Sequence, residues 1–134
     1  MDFQMKTLKP LIVTPCGARK GTEAAPAWQL YKSTRIRAVY GRRCNRDMAI
    51  LSARYGLVDV ETHLAPYDRL MDQSRACELL PKTCEYVVDG DYDVLVYFRG
   101  GTDSNYLDLM RWTSEASKVP LVFFGYANRD NLHV

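Results

Sequence analysis

No stretch of the sequence approaches the roughly 20 consecutive apolar residues that a membrane-spanning helix requires. The opening Met1-Asp2-Phe3-Gln4-Met5-Lys6 also lacks the apolar core of a secretory signal. A cytoplasmic protein with no membrane partner is therefore expected. Its four cysteines, Cys16, Cys44, Cys77 and Cys84, include no CxxC pair, and there are only two histidines, His63 and His133. None of these stands at metal-ligand spacing, so no metal site is expected, and reduced thiols are the simplest state. The three-glycine dinucleotide fingerprint is missing too, and no cofactor is implied. Repeats, linkers and low-complexity segments are absent, and 134 residues suit a single α/β domain over 1–134.

What is present is ordinary for a globular chain: 47% hydrophobic and 25% charged residues, with a formal net charge of +2. That total is too small to announce a nucleic-acid binder. Its distribution is uneven, however. Arg35, Arg37, Arg42, Arg43 and Arg46 follow one another with no acid between them, whereas Asp and Glu crowd residues 59–93. The bias hints at an anionic partner.

Apolar runs set the elements. Leu11-Ile12-Val13, closed by Thr14-Pro15-Cys16-Gly17, reads as a buried strand. After a polar loop, Ser33 caps a helix that places Ile36, Val39 and Tyr40 on one face. Met48 to Leu51 is a second strand, closed by Ser52-Ala53-Arg54-Tyr55-Gly56. Residues 57–73 read as a short extended piece around Val58 and Val60, then an ordered loop. From Arg75 the helical period returns, but Pro81 should interrupt it, which predicts two short helices with Pro81 opening the second. Val94 to Phe98, five apolar residues in a row, suits a central parallel strand covered on both faces. Thr102 or Asp103 then caps a helix whose buried stripe is Tyr106, Leu109, Met110, Thr113 and Ala116, and Val119 to Phe124 forms the last strand.

Strands alternating with helices imply a Rossmann-like three-layer sandwich with a mainly parallel sheet of four or more strands. In such sheets chemistry gathers beyond the carboxyl ends of the strands. Here those ends are Thr14 to Lys20, Ser52 to Gly56, Arg99 to Asp103, and Gly125-Tyr126.

Each end carries candidate chemistry beside glycine. Cys16 is a potential nucleophile, with Gly17 allowing close approach of a ligand and Arg19 and Lys20 supplying cations; a small residue buried at a strand end is the plainer reading of Cys16. His63, in an irregular stretch, and His133, beside the chain end, make poor partners for it. Arg54 can grip phosphate or carboxylate, and Tyr55 can stack on a base. Pro66-Tyr67-Asp68 can bring a carboxylate to the same mouth, where Asp68 would act as general base or ribose ligand, or merely cap a turn. Gly100 and Gly101 precede a helix start, which favours anions. Asp103 at the same terminus favours a ribose hydroxyl or base edge, or simple capping.

Taken together, Thr14-Pro15-Cys16-Gly17-Ala18-Arg19-Lys20, Leu30-Tyr31-Lys32-Ser33, Leu51-Ser52-Ala53-Arg54-Tyr55-Gly56-Leu57 and Ala65-Pro66-Tyr67-Asp68 resemble small uncharacterised domains with a Ser-Cys-Gly-x-x-Lys opening. Those domains are in turn distantly similar to the peroxide-stress protein YaaA family, over residues 11–70. A fainter likeness is to the archaeosine synthases, limited here to Pro15, Cys16 and Lys20. The YaaA resemblance implies DNA, nucleic-acid or nucleotide business without naming a reaction.

The expectation is a nucleotide- or nucleobase-directed enzyme acting on a base or a glycosidic bond of a nucleotide or nucleic acid. Lys20 and Arg54 would hold an anionic group, Tyr31 and Tyr55 would pack the base or ribose, and Cys16 or Asp68 would handle protons or bond formation. Ser52, Gly56 and Tyr67 complete the ligand-binding set. The alternative is a non-catalytic nucleic-acid-binding or nucleotide-sequestering protein, and self-association as a homo-oligomer is compatible with either.

Overall fold

The structure, a computed structural model, describes residues 7–125. It is a mixed α/β arrangement of seven strands and four helices among those residues. In chain order they are β1 (Pro10–Pro15), β2 (Ala25–Pro26), α1 (Ala27–Leu30), α2 (Thr34–Arg42), β3 (Asp47–Ser52), β4 (Gly56–Asp59), β5 (His63–Leu64), α3 (Gln73–Asp89), β6 (Val94–Phe98), α4 (Ser104–Ser117) and β7 (Leu121–Phe124). Five strands form one sheet in the order β4-β3-β1-β6-β7; β2 and β5 make a separate antiparallel pair. Pairings β3–β1, β1–β6 and β6–β7 are parallel, and β4 runs antiparallel to β3.

The apolar runs become strands because alternate side chains can be buried on opposite faces. Leu11, Val13, Ala49, Leu51, Leu95 and Tyr97 pack against Ala76, Leu79 and Val87 of α3 and Leu107, Leu109 and Met110 of α4. On the other face Ile12, Met48 and Ile50 meet Ala27, Leu30, Tyr31 and Ile36. Each large apolar side chain buried this way contributes about 1.5–3 kcal/mol.

The expected elements around β1, α2 and β3 are present, and Ser33 caps α2 by accepting the Ile36 N–H at 3.2 Å. Other expectations need correction. β6 is an interior strand, parallel to β1 on one side and β7 on the other, but its two faces are covered unevenly. Leu95 and Tyr97 of β6 are buried, but Val94, Val96 and Phe98 are only half covered, because the second cluster reaches β6 at Phe98 alone. The short extended piece expected around Val58 is β4, which follows a turn at Gly56, whose φ of +75° suits glycine, and pairs antiparallel with β3. The polar loop after β1 contains β2 and α1.

Pro81 does not divide the third helical region. α3 runs unbroken from Gln73 to Asp89, with Ala76, Leu79, Thr83 and Val87 buried along one side. Pro81 and Cys77, whose carbonyl loses its partner, are both exposed, so water satisfies the carbonyl while packing carries the helix past the proline. In α4 the buried stripe takes Leu107 in place of Ala116, which faces out. No helix among the described residues is long and apolar enough to cross a membrane.

Candidate functional site at the carboxyl end of the sheet

Three chain segments meet beyond the ends of the parallel strands. The loop after β1, the stretch before α3 and the first turn of α4 surround a pocket of about 430 Å³, whose walls include Cys16, Lys20, Asp68, Arg69, Ser104 and Tyr106. Gly17 also lines it.

Cys16 leaves β1 half-buried. Its N–H donates to the Leu51 carbonyl at 3.0 Å, which aligns the strand end, and its Sγ lies 3.2 Å from the Tyr106 hydroxyl on α4. Burial, then the neighbouring Cys16, push the Tyr106 phenol above its ordinary range and keep it neutral. Lys20 forms an isolated antiparallel bridge with Tyr31 and sets its Nζ 4.6 Å from the centre of the Tyr67 ring and 5.7 Å from that of Tyr31. Such a cation over a phenol face is held electrostatically.

Behind the pocket runs a chain of hydroxyls. The Ser52 Oγ, fully buried, accepts the N–H groups of Arg54 and Tyr55 at 3.1 Å each. With both lone pairs taken, its own O–H donates to the Tyr67 hydroxyl 2.7 Å away, and Tyr67 in turn bonds Tyr31. Desolvation holds both phenols neutral: Tyr31 is pushed up to about 12, and Tyr67 is raised as well. Tyr55 packs edge-on against Tyr67 with ring centres 5.4 Å apart.

The expected site residues separate into three groups. Cys16, Gly17, Lys20 and Asp68 line the pocket. Tyr31, Ser52, Tyr55 and Tyr67 form the layer behind it. Tyr31 is completely buried, so its ring backs Tyr67 and cannot pack a base itself. Gly56 shapes the turn beneath them. The remaining residues do other work: Arg19 is exposed and its carbonyl accepts the Lys32 N–H at 2.8 Å. Arg54 is exposed, with its guanidinium 5.4 Å from the Tyr55 ring centre, and does not line the pocket. Gly100 lies against Arg35, and a Cβ there would come within 3.0 Å of the guanidinium. Gly101 is exposed with open space around it.

Asp103 is at the start of α4 but makes no capping bond. Its carboxylate points into the protein, 3% exposed, and accepts the Tyr97 hydroxyl at 3.0 Å, the Gly100 N–H at 3.0 Å and two Arg99 guanidinium N–H groups at 3.1 and 3.3 Å. The carboxylate therefore braces the loop after β6.

Residues not singled out by the sequence contribute as well. Tyr106 belonged to a helical stripe, but its hydroxyl reaches the thiol. Arg35 fastens the end of β1 by donating to Thr14 Oγ1 at 2.8 Å and to the Pro15 carbonyl at 2.7 Å. Asn105 donates to the Met71 carbonyl at 3.1 Å and ties α4 to the stretch before α3. His63 is exposed in β5, while Tyr126 and His133 lie outside the described residues. Among the described residues, no group of three or more His, Cys, Asp and Glu side chains is gathered to hold a metal ion.

Fold and pocket together define a mixed α/β protein with a cleft of mixed lining, Cys16, Lys20 and Asp68 beside Leu70 and Met71, at the carboxyl ends of its parallel strands. A family of unknown function, DUF6884, matches residues 11–83, and the chain belongs to that family. The matched segment carries Cys16, Lys20, Ser52 and Asp68; the α4 wall lies beyond it. Neither the curated proteins nor the solved structures give a match to this chain.

Proposed function

We propose that this pocket takes a nucleotide or nucleobase and that the protein is an enzyme acting on the base or its glycosidic bond. The reading rests on one observation: Cys16, Lys20 and Asp68, brought from two separate loops, line the same pocket of about 430 Å³. Its size falls in the range of small-molecule sites. Lys20 would neutralise an anionic group of the ligand. Asp68, exposed at the rim, would take a ribose hydroxyl or a water proton. The neutral Tyr106 phenol and the Cys16 thiol would face the reacting bond from the α4 side. The YaaA-like motifs from Thr14 to Asp68 support a nucleic-acid or nucleotide setting, and helices packed on both faces of the sheet favour a Rossmann-like three-layer arrangement.

Calorimetry against nucleobases, nucleosides and nucleoside monophosphates, followed by chromatography of the ligand, tests the reading. At least one class should bind and be converted, and Lys20→Ala and Asp68→Asn should each weaken binding about tenfold, about 1.4 kcal/mol. The proposal is abandoned if no class binds, or if both variants bind and convert the ligand like the parent.

A further inference from the structure

The charge of this protein is sharply segregated along the chain. Lys32, Arg35, Arg37, Arg42, Arg43 and Arg46 are six of its 18 basic residues, and no acid interrupts them. The other 12 face 16 acids, so the chain without this segment carries a net charge of −4. The excess positive charge therefore sits on α2 and its flanks.

Two of the six cations are used internally. Arg35 bonds Thr14 and Pro15, and Arg43 stacks on Tyr40, 3.7 Å from the ring centre, beside Glu61. Lys32, Arg37, Arg42 and Arg46 are exposed, and among the described residues no hydrogen bond or ion pair ties their side chains. Three acids lie near this surface: Glu61 accepts from the Tyr40 hydroxyl at 2.5 Å, Asp47, next to Arg46, accepts from the Tyr92 hydroxyl at 2.7 Å, and Glu23 shares an open depression with Lys32 and Arg37. Trp28 and Tyr40 stack beside it, with ring centres 4.1 Å apart.

From this placement we infer that the α2 surface, through Lys32, Arg37, Arg42 and Arg46, binds the phosphodiester backbone of a nucleic acid. The surface is separate from the pocket, and the inference stands whether or not the pocket acts on a base. Guanidinium groups match phosphate geometry, and a regular polyanion is the partner that rewards several uncompensated arginines at once. An anionic membrane fits less well. The apolar residue Ile36 of α2 is buried, Val39 packs inward, and the outward positions Thr34, Arg37, Ala38, Gly41 and Arg42 offer nothing large and apolar to enter lipid.

Fluorescence anisotropy with labelled mixed-sequence DNA and RNA duplexes, repeated over a range of salt, reads the contact count. Four phosphate contacts should weaken binding by roughly a hundredfold between about 50 and 200 mM salt. Arg37→Ala/Arg42→Ala/Arg46→Ala should flatten the logarithmic slope by about three units. Lys82→Ala/Arg111→Ala, removing exposed cations from the opposite helical layer, should leave it unchanged. Preference for one duplex would name the nucleic acid; equal binding would assign recognition to the backbone alone. The inference is overturned if neither duplex binds at low salt, if the triple variant keeps the parent slope, if the control variant flattens it equally, or if anionic phosphatidylserine vesicles bind and duplexes do not.

Discussion

The Ser52 hydroxyl stands 2.7 Å from that of Tyr67 while receiving two backbone N–H groups, from Arg54 and Tyr55. One buried oxygen thus joins the turn after β3 to the layer behind the pocket. Ser52→Ala would remove the acceptor of two amides and one of the two partners of the Tyr67 hydroxyl. The variant is expected to lose about 2 to 3 kcal/mol of unfolding free energy in urea denaturation. A loss below about 0.5 kcal/mol would mean that this hydroxyl does not anchor the turn.

Alkaline pH should expose the same layer. The Tyr31 phenol is pushed up to about 12, mainly by burial, from an ordinary 10.0. A folded-state value above the unfolded one means that the unfolded chain loses its proton first. The stabilisation is therefore complete below pH 10, and it is lost as pH rises towards about 12, at up to about 1.4 kcal/mol per pH unit from this residue. Tyr67 is shifted in the same direction. Melting temperature followed against pH, with tyrosinate absorbance recorded alongside, should show a decline beginning near pH 10 and ionisation of these phenols only as the fold opens. Early ionisation without loss of structure would contradict their burial.

Pro81 offers a test in the opposite direction. It occupies an exposed position inside α3, where it supplies no N–H to the Cys77 carbonyl. Replacement by alanine restores that bond and removes the ring's clash with the preceding turn, worth about 3 kcal/mol, against up to about 1 kcal/mol of extra freedom in the unfolded chain. Pro81→Ala should therefore raise unfolding free energy by about 2 kcal/mol. A drop in the denaturation midpoint would show that the proline is needed where it stands.

Much of the sheet is legible because its signals are local. Leu11 to Val13, Met48 to Leu51 and Val94 to Phe98 are apolar runs bounded by turn residues, and Ser33 lies three residues ahead of the amide it caps. Features set by distant partners are not legible in this way. β4 offers only Leu57 and Val58 as apolar residues, so its pairing with β3 depends on the Gly56 turn. The unbroken α3 depends on Ala76, Leu79 and Val87 finding the sheet, a gain that outweighs the local cost of Pro81. Asp103 has the composition of a helix cap, yet its carboxylate meets the hydroxyl of Tyr97 inside the sheet. The link from Cys16 to Tyr106 spans 90 residues, and no spacing rule reaches that far.

Arg75 lies in the first turn of α3 and donates to the carbonyls of Ala53 and Arg54 at 2.7 Å each. Those two residues lead directly to Tyr55, whose ring rests on Tyr67 across the sheet. The guanidinium therefore fastens α3 to the β3–β4 turn, so that the helix is joined to the aromatic pair behind the cleft around the sheet's end rather than through the strands.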